Sequence, residues 1–276
     1  MKKLSIIILS YNSKHLILDC LASIPVHSDW EIIIPDNGST DGSKDAILKQ
    51  FPNIKFIENG KNLGFAAGNN VGIKKSQGEY VLLLNPDTVV KSQAIETVLD
   101  YIENHSDVGA ATCRLEFPSG KLDYSCHRNF PDPVNSLLHL IGLKKVSRYT
   151  NSNIPNTIHE IDALNGAFAL IRRTAGIQIN WLDEDYFWNA EDIDFCYKLK
   201  EKDWKIIYIP NVKTIHYKGY ASQASRESKK RWAVHSTDAM KLFYQKHLSK
   251  KYPFIINWIV YLGIWMLKQF RLLRTN

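Results

Sequence analysis

Hydrophobic residues in the first 115 positions fall into short blocks, each closed by a polar loop. Residues 4–9, 31–35, 54–58, 80–84 and 108–115 are rich in isoleucine, valine and leucine and read as strands. Between them, 16–24, 45–51, 65–75 and 93–104 carry helical spacing. Near-continuous apolar strands separated by helices predict an α/β fold, with a mostly parallel central sheet and helices on both faces. In such a sheet ligands sit outside the carboxyl ends of the strands. The loops after residues 9, 35, 58 and 84 should therefore meet at one site.

The second half is less regular. Residues 117–128 contain Pro118-Ser119-Gly120, a hairpin-turn signal. Residues 129–156 are rich in proline, asparagine and serine and read as a variable insertion. An apolar stretch at 161–171, with Asn165-Gly166 inside it, precedes an acidic run at 183–194. A helix to about residue 200, a strand over 205–209 and two closing helices complete the expectation. The sequence shows no internal repeat and no low-complexity linker.

Composition narrows the class without naming a chemistry. A 45% hydrophobic and 23% charged chain of 276 residues is globular, which excludes disorder, collagen and a pure coiled coil. Its four cysteines lack C-x-x-C spacing, so a zinc ribbon and a redox motif have no support. The apolar run at 4–9 is too short for a signal-peptide core and reads as a buried strand, with the chain expected to be cytoplasmic.

Charge is unevenly placed. From Ala239 onward there are seven basic residues and no acidic ones, so the net +7 belongs to the tail and the first 238 residues are neutral. A neutral body argues against nucleic acid. A basic tail with tryptophans points instead to the anionic inner face of the cell membrane. Residues 254–267 are apolar over fourteen positions, about 21 Å as a helix, whereas a span needs ~20 residues. Asn257, Tyr261 and Lys268 fall on one stripe, as in a helix lying in the interface plane; a core-packing or homodimer helix is the alternative.

Candidate chemistry sits at the predicted strand ends. The first strand runs into Ser10-Tyr11-Asn12 and the second into Pro35-Asp36-Asn37-Gly38-Ser39-Thr40-Asp41-Gly42-Ser43. Asp41 and Ser43 read as helix caps. Asp36 reads either as an Asx-turn or as a carboxylate accepting the N3–H of a uracil or thymine ring. Gly64, Gly68 and Gly72 line one helix face beside Asn69 and Asn70, allowing close approach of a backbone or a ligand. Tyr80–Leu84 delivers Asn85-Pro86-Asp87, where Asp87 either caps a helix or holds a hard cation bridging two phosphates. The acidic run Asp183-Glu184-Asp185-Tyr186-Phe187-Trp188-Asn189-Ala190-Glu191-Asp192-Ile193-Asp194 sets two large aromatics among six carboxylates. A helix dipole explains Glu191 and Asp192 at a first turn but not Phe187 and Trp188, whose faces suit a sugar ring. His216 follows a further strand.

SIIILSYN (5–12), PDNGSTDGS (35–43), NLGFAAGNN (62–70), LLLNPD (82–87), DEDYFWNAEDID (183–194) and IPNVKTIH (209–216), in this order, resemble glycosyltransferase family 2, the inverting GT-A enzymes, in their rhamnosyltransferase-like branch. The resemblance implies a GT-A domain over 1–238, with a nucleotide-sugar part at about 1–115 and an acceptor and catalytic part at about 116–238. Residues 239–276 form a basic amphipathic helical tail. It implies a dTDP- or UDP-sugar donor held by Ser10, Asn12, Asp36, Asn37, Asn62, Gly64, Asn69, Asn85 and Asp87. It implies Mg²⁺ or Mn²⁺ at Asp87 and His216, a general base at Asp192 beside Glu191, and a glycan or lipid-linked acceptor against Phe187 and Trp188. Asn85 departs from the family's commoner Asp, which loses one carboxylate. Two other classes are a sugar nucleotidylyltransferase and a catalytically inactive GT-A-like binding subunit. The first would want a glycine-rich, basic phosphate loop where this chain has Ser10-Tyr11-Asn12.

Overall fold

A computed structural model of the chain describes residues 2–91, 93–135, 154–218 and 226–274. Four strands open the sheet in parallel: β1 (Leu4–Ile7), β2 (Trp30–Asp36), β3 (Lys55–Glu58) and β4 (Tyr80–Leu84). The order across the sheet is β3-β2-β1-β4-β8-β6-β9-β5, with β5 (Thr88–Val90), β6 (Val108–Glu116), β8 (Phe168–Arg172) and β9 (Lys205–His216). A two-residue β7 (His159–Glu160) pairs with β9. Strands β6 and β9 follow the direction of β1–β4, while β5, β7 and β8 oppose it. The sheet is mostly parallel, as expected.

Helices α1 (Lys14–Ala22), α2 (Ser43–Gln50), α3 (Phe65–Lys74) and α4 (Ala94–Asn104) alternate with these strands. The glycine stripe of α3 is a packing device. A Cβ at Gly72 would lie 2.7 Å from Ile7 and from Pro35, and one at Gly68 would lie 2.6 Å from Leu9. Ile6 and Ile8 alternate to the opposite face and are also fully buried, so both faces are covered. Residues 117–121 form the expected hairpin turn, with Gly120 at φ +77°.

Three features differ from the sequence reading. Strand β9 continues past Pro210 to His216, because 211–216 alternate outward and inward positions that periodicity in apolar residues does not register. The short β5 pairs Thr88 with His216 and was not expected. In 161–167 the Asn165 side chain accepts from the Ala167 N–H, turning the chain before β8 begins. The insertion at 129–156 lies partly outside the described residues.

After β8 come α5 (Arg173–Gln178), α6 (Glu191–Lys200), α7 (Arg226–Phe243), a π-turn (Tyr244–Leu248), a 3₁₀ turn (Ser249–Lys251) and α8 (Phe254–Leu273). Position 238 falls inside α7. A second apolar cluster joins Tyr186 and Ile193 to Ala239, Phe243, Tyr244 and Leu248, drawing the start of the tail onto the acidic segment. Asn257, Tyr261 and Lys268 of α8 face the protein: Tyr244 Oη donates to Asn257 Oδ1 (2.6 Å), Tyr244 and Tyr261 meet edge to face, and Lys268 pairs with Asp238 (2.7 Å).

Candidate active site

The carboxyl ends of β1, β2, β4 and β9 and the start of β8 lie along one edge, and backbone bonds lock them together. Asn85 N–H donates to Ala167 O (3.1 Å), and Tyr217 N–H donates to Asp87 O (2.8 Å). The end of β4 is thereby clamped between β8 and β9.

On the β1–β2 side, Asp36 is buried and its carboxylate accepts from Gly38 N–H (3.0 Å), Ser39 N–H (2.8 Å) and Ser39 Oγ (2.6 Å). The Asx-turn reading of Asp36 is therefore realised in the free chain. Asn12, at φ +47°, donates its N–H to Ser39 Oγ and accepts from Thr40 N–H through Oδ1 (2.8 Å). Ser10 Oγ lies 3.5 Å from Ser39 Oγ. Asn37 is a brace, donating to Asn62 Oδ1 (3.2 Å) and Gly64 O (3.0 Å) while accepting from Asn59 (2.9 Å). The Asn69 amide turns back to Phe65 O on its own helix, so Asn37 and Asn69 are committed internally. Gly64, at φ +85°, meets the acidic segment: a Cβ there would stand 2.5 Å from Phe187 O, which accepts from Phe65 N–H at 2.9 Å.

The phosphate-side candidates form a line, Asp87–His216–Asp123. His216 Nε2 is 3.4 Å from Asp87 Oδ1 and its Nδ1 is 3.1 Å from Asp123 Oδ2. Burial pulls the imidazole toward neutrality, but the two carboxylates outweigh it and raise its pKa above the ordinary histidine value. Burial likewise opposes ionisation of Asp123; His216, the Lys218 ammonium and Ser125 still hold it well below the usual carboxylate range. Asp123 was not singled out from sequence; its signal is the Asp-x-Ser turn in which it accepts from Ser125 N–H (3.0 Å). Among the described residues no group of three or more His, Cys, Asp or Glu side chains is arranged to hold a metal ion. The donor set nevertheless fits a divalent cation: one carboxylate oxygen and one imidazole nitrogen converge, and Asp123 orients the ring from behind. The Asn85 side chain makes no hydrogen bond among the described residues.

The acidic segment supplies the opposite wall. Asn189 (φ +72°) and Ala190 (φ +67°) are successive left-handed residues that swing the chain into α6. Asp192 Oδ2 then accepts from Arg128 Nη2 (2.7 Å) and faces Gly166 N–H at 3.4 Å. Gly166 adjoins Ala167, whose carbonyl accepts from Asn85 N–H, so Asp192 contacts the segment that borders the end of β4. Burial first, then the neighbouring Asp192 charge, push Glu191 up to about 8, and its buried Oε2 lacks a hydrogen-bond partner among the described residues. Arg128 gave no sequence signal, since it lies at the edge of the irregular insertion.

Phe187 and Trp188 are half-exposed, and Phe187 stacks on His235 of α7 at 5.1 Å. They line a cleft of about 340 Å³ together with His235, Asp238, Lys241 and Gln245. Aromatic faces beside a carboxylate, an ammonium and an amide suit a sugar with its hydroxyls.

The family model described as Glycosyl transferase family 2 matches residues 5–175. An N-acetylglucosaminyl-diphospho-decaprenol L-rhamnosyltransferase of Mycobacterium tuberculosis is 24% identical over 242 residues, covering 82% of this chain and 78% of that protein. Rhamnosyltransferase WbbL of Escherichia coli is 26% identical over 247 residues, covering 84% and 90%. Among solved structures, a mannosyltransferase of Pyrobaculum calidifontis in complex with GDP-Man and Mn²⁺ superposes with a TM-score of 0.62 at 17% identity, over 99% of this chain and 72% of that one. That likeness shows the GT-A fold. With more than half of its residues inside the family match, and β2–β8 all falling within it, the chain belongs to glycosyl transferase family 2.

Proposed function

We propose that this glycosyltransferase moves a sugar with inversion from a dTDP- or UDP-sugar to a glycan or lipid-linked acceptor of a surface polysaccharide. L-Rhamnose from dTDP-rhamnose is the first candidate, in keeping with the two rhamnosyltransferase relatives. The observation that carries the reading is the placement of Asp192 beside Gly166, at the edge where Asp87 and His216 converge. Asp192 takes the proton from an acceptor hydroxyl lodged against Phe187 and Trp188. That oxygen attacks the anomeric carbon from the face opposite the diphosphate, in one displacement. Asp36, with Asn12 and Asn62 nearby, holds the pyrimidine by releasing part of its turn bonding to the ring N3–H. A divalent cation held by Asp87 and His216 would offset the charge gathering on the leaving diphosphate. The carboxylates that raise the His216 pKa also make a proton a stronger competitor of the cation for its ring nitrogen. Acceptor-dependent release of nucleoside diphosphate from a panel of nucleotide sugars tests the reading.

The same reading includes peripheral membrane attachment through α8. No described helix is long and apolar enough to cross a membrane. Residues Phe254, Trp258, Leu262, Trp265, Met266 and Phe270 nonetheless form an exposed apolar face, with Lys250, Lys251 and Arg274 at its ends. Each basic group near an anionic surface contributes ~1 kcal/mol, in addition to apolar burial. Full-length protein should float with anionic vesicles, more weakly at high salt, and removal of residues 252–276 should release it while nucleotide binding persists. Full-length protein that stays free of anionic vesicles at low salt would contradict the attachment and favour a homodimer face.

A further inference from the structure

We infer that Lys246 and His247, on the π-turn after α7, are positioning residues that hold the acidic segment in its working shape. This rests on the glycosyl-transfer reading of that segment. Six carboxylates within 183–194 repel one another, and the π-turn sets an ammonium against one end of the segment and an imidazole against the other. Lys246 Nζ lies 2.5 Å from Asp183 Oδ2 and 2.6 Å from Asp185 Oδ2, and 5.5 Å above the Tyr186 ring. His247 Nε2 lies 2.6 Å from Oδ1 of the fully buried Asp194, which Tyr186 Oη also approaches at 3.3 Å and Lys198 at 3.1 Å. From the other side, Asn70 Nδ2 donates to Leu182 O (2.8 Å) and Glu184 Oε1 (2.9 Å).

The segment is thus pinned at 182–185 and at 194. Phe187 and Trp188, the left-handed Asn189 and Ala190, and then Glu191 and Asp192 are strung between those anchors. A wide π-turn is uncommon, and here it sets two consecutive side chains onto carboxylates nine residues apart. Lys246 is partly solvated, and such ion pairs contribute little to folding. Its removal should leave the fold standing while loosening the aromatic pair and Asp192. A 1 Å misplacement can lower a rate by about 10².

The test compares full-length wild type, Lys246→Met and Lys246→Arg. Lys246→Met should raise the acceptor KM or lower kcat to a combined loss of about tenfold or more, with donor affinity by calorimetry within about twofold of wild type. Lys246→Arg, which can span both carboxylates, should restore most of the loss. Hydrogen exchange should quicken over 183–190 in Lys246→Met and not in the β1–β4 core. His247→Gln, which keeps a donor for Asp194, should outperform His247→Ala in the same assay. Acceptor kinetics and 183–190 exchange that match wild type in Lys246→Met would overturn the inference, as would an equal loss of donor binding that Arg fails to rescue. If wild type transfers no sugar at all, the functional reading falls, and the exchange result alone decides whether the π-turn holds the segment.

Discussion

Asp192→Asn should lower transfer by about 10²–10⁴, the range that general-base assistance supplies, while donor affinity stays within about twofold. The substitution preserves the shape of the side chain and its contact with Gly166 N–H but removes the charge that takes the proton. As the proposed base Asp192 acts on the acceptor hydroxyl, so the donor should not register its loss. Glu191→Gln is the matching control. Burial and the neighbouring Asp192 charge favour the neutral form of Glu191, so its amide should cost far less. Steady-state kinetics of both variants decide the assignment. Transfer by Asp192→Asn within a few-fold of wild type, with collapse in Glu191→Gln, would move the base to Glu191.

Asp87→Ala should weaken donor binding by tenfold or more in Mg²⁺ or Mn²⁺, and hardly at all in chelator. Asp87 Oδ1 and His216 Nε2 are the convergent pair at this edge. Calorimetry with and without metal, on wild type and variant, reads the difference directly. Equal donor affinity of wild type in metal and in chelator would remove the cation from the account. His216 also gives the binding a pH signature. Its raised pKa means that the competing proton is bound more tightly below that pKa, so metal-assisted donor binding should weaken as pH falls.

The parallel half of the fold was legible because its central strands are buried on both faces and read as apolar blocks. Leu4–Ile7 and Tyr80–Leu84 hold no exposed residue. The other half was not, for physical reasons. The end of β9 is solvated on one face, so Thr214 and His216 enter the interior without an apolar run to announce them. The β5 pairing that brings Asp87 to His216 is three residues long. Candidate carboxylates could be named from sequence, but their partners could not. Arg128, Asp123 and Lys246 reach Asp192, His216 and Asp183 from 64, 93 and 63 residues away. Such long-range contacts leave no local pattern. In the free chain the Asn37 amide donates to Asn62 and Gly64, and the Asn69 amide to Phe65 O of its own helix, contacts that no local pattern announced.

The central claim is a single inverting displacement that releases nucleoside diphosphate. Its most direct measurement is the product of one reaction: purified full-length protein, a nucleotide sugar from the panel, an acceptor and Mg²⁺ or Mn²⁺, read by nucleotide analysis and by NMR of the new glycosidic bond. The account predicts nucleoside diphosphate in equal amount to transferred sugar, with the anomeric configuration opposite to that of the donor. Retained configuration would contradict the mechanism, and release of nucleoside monophosphate or pyrophosphate would contradict glycosyl transfer itself.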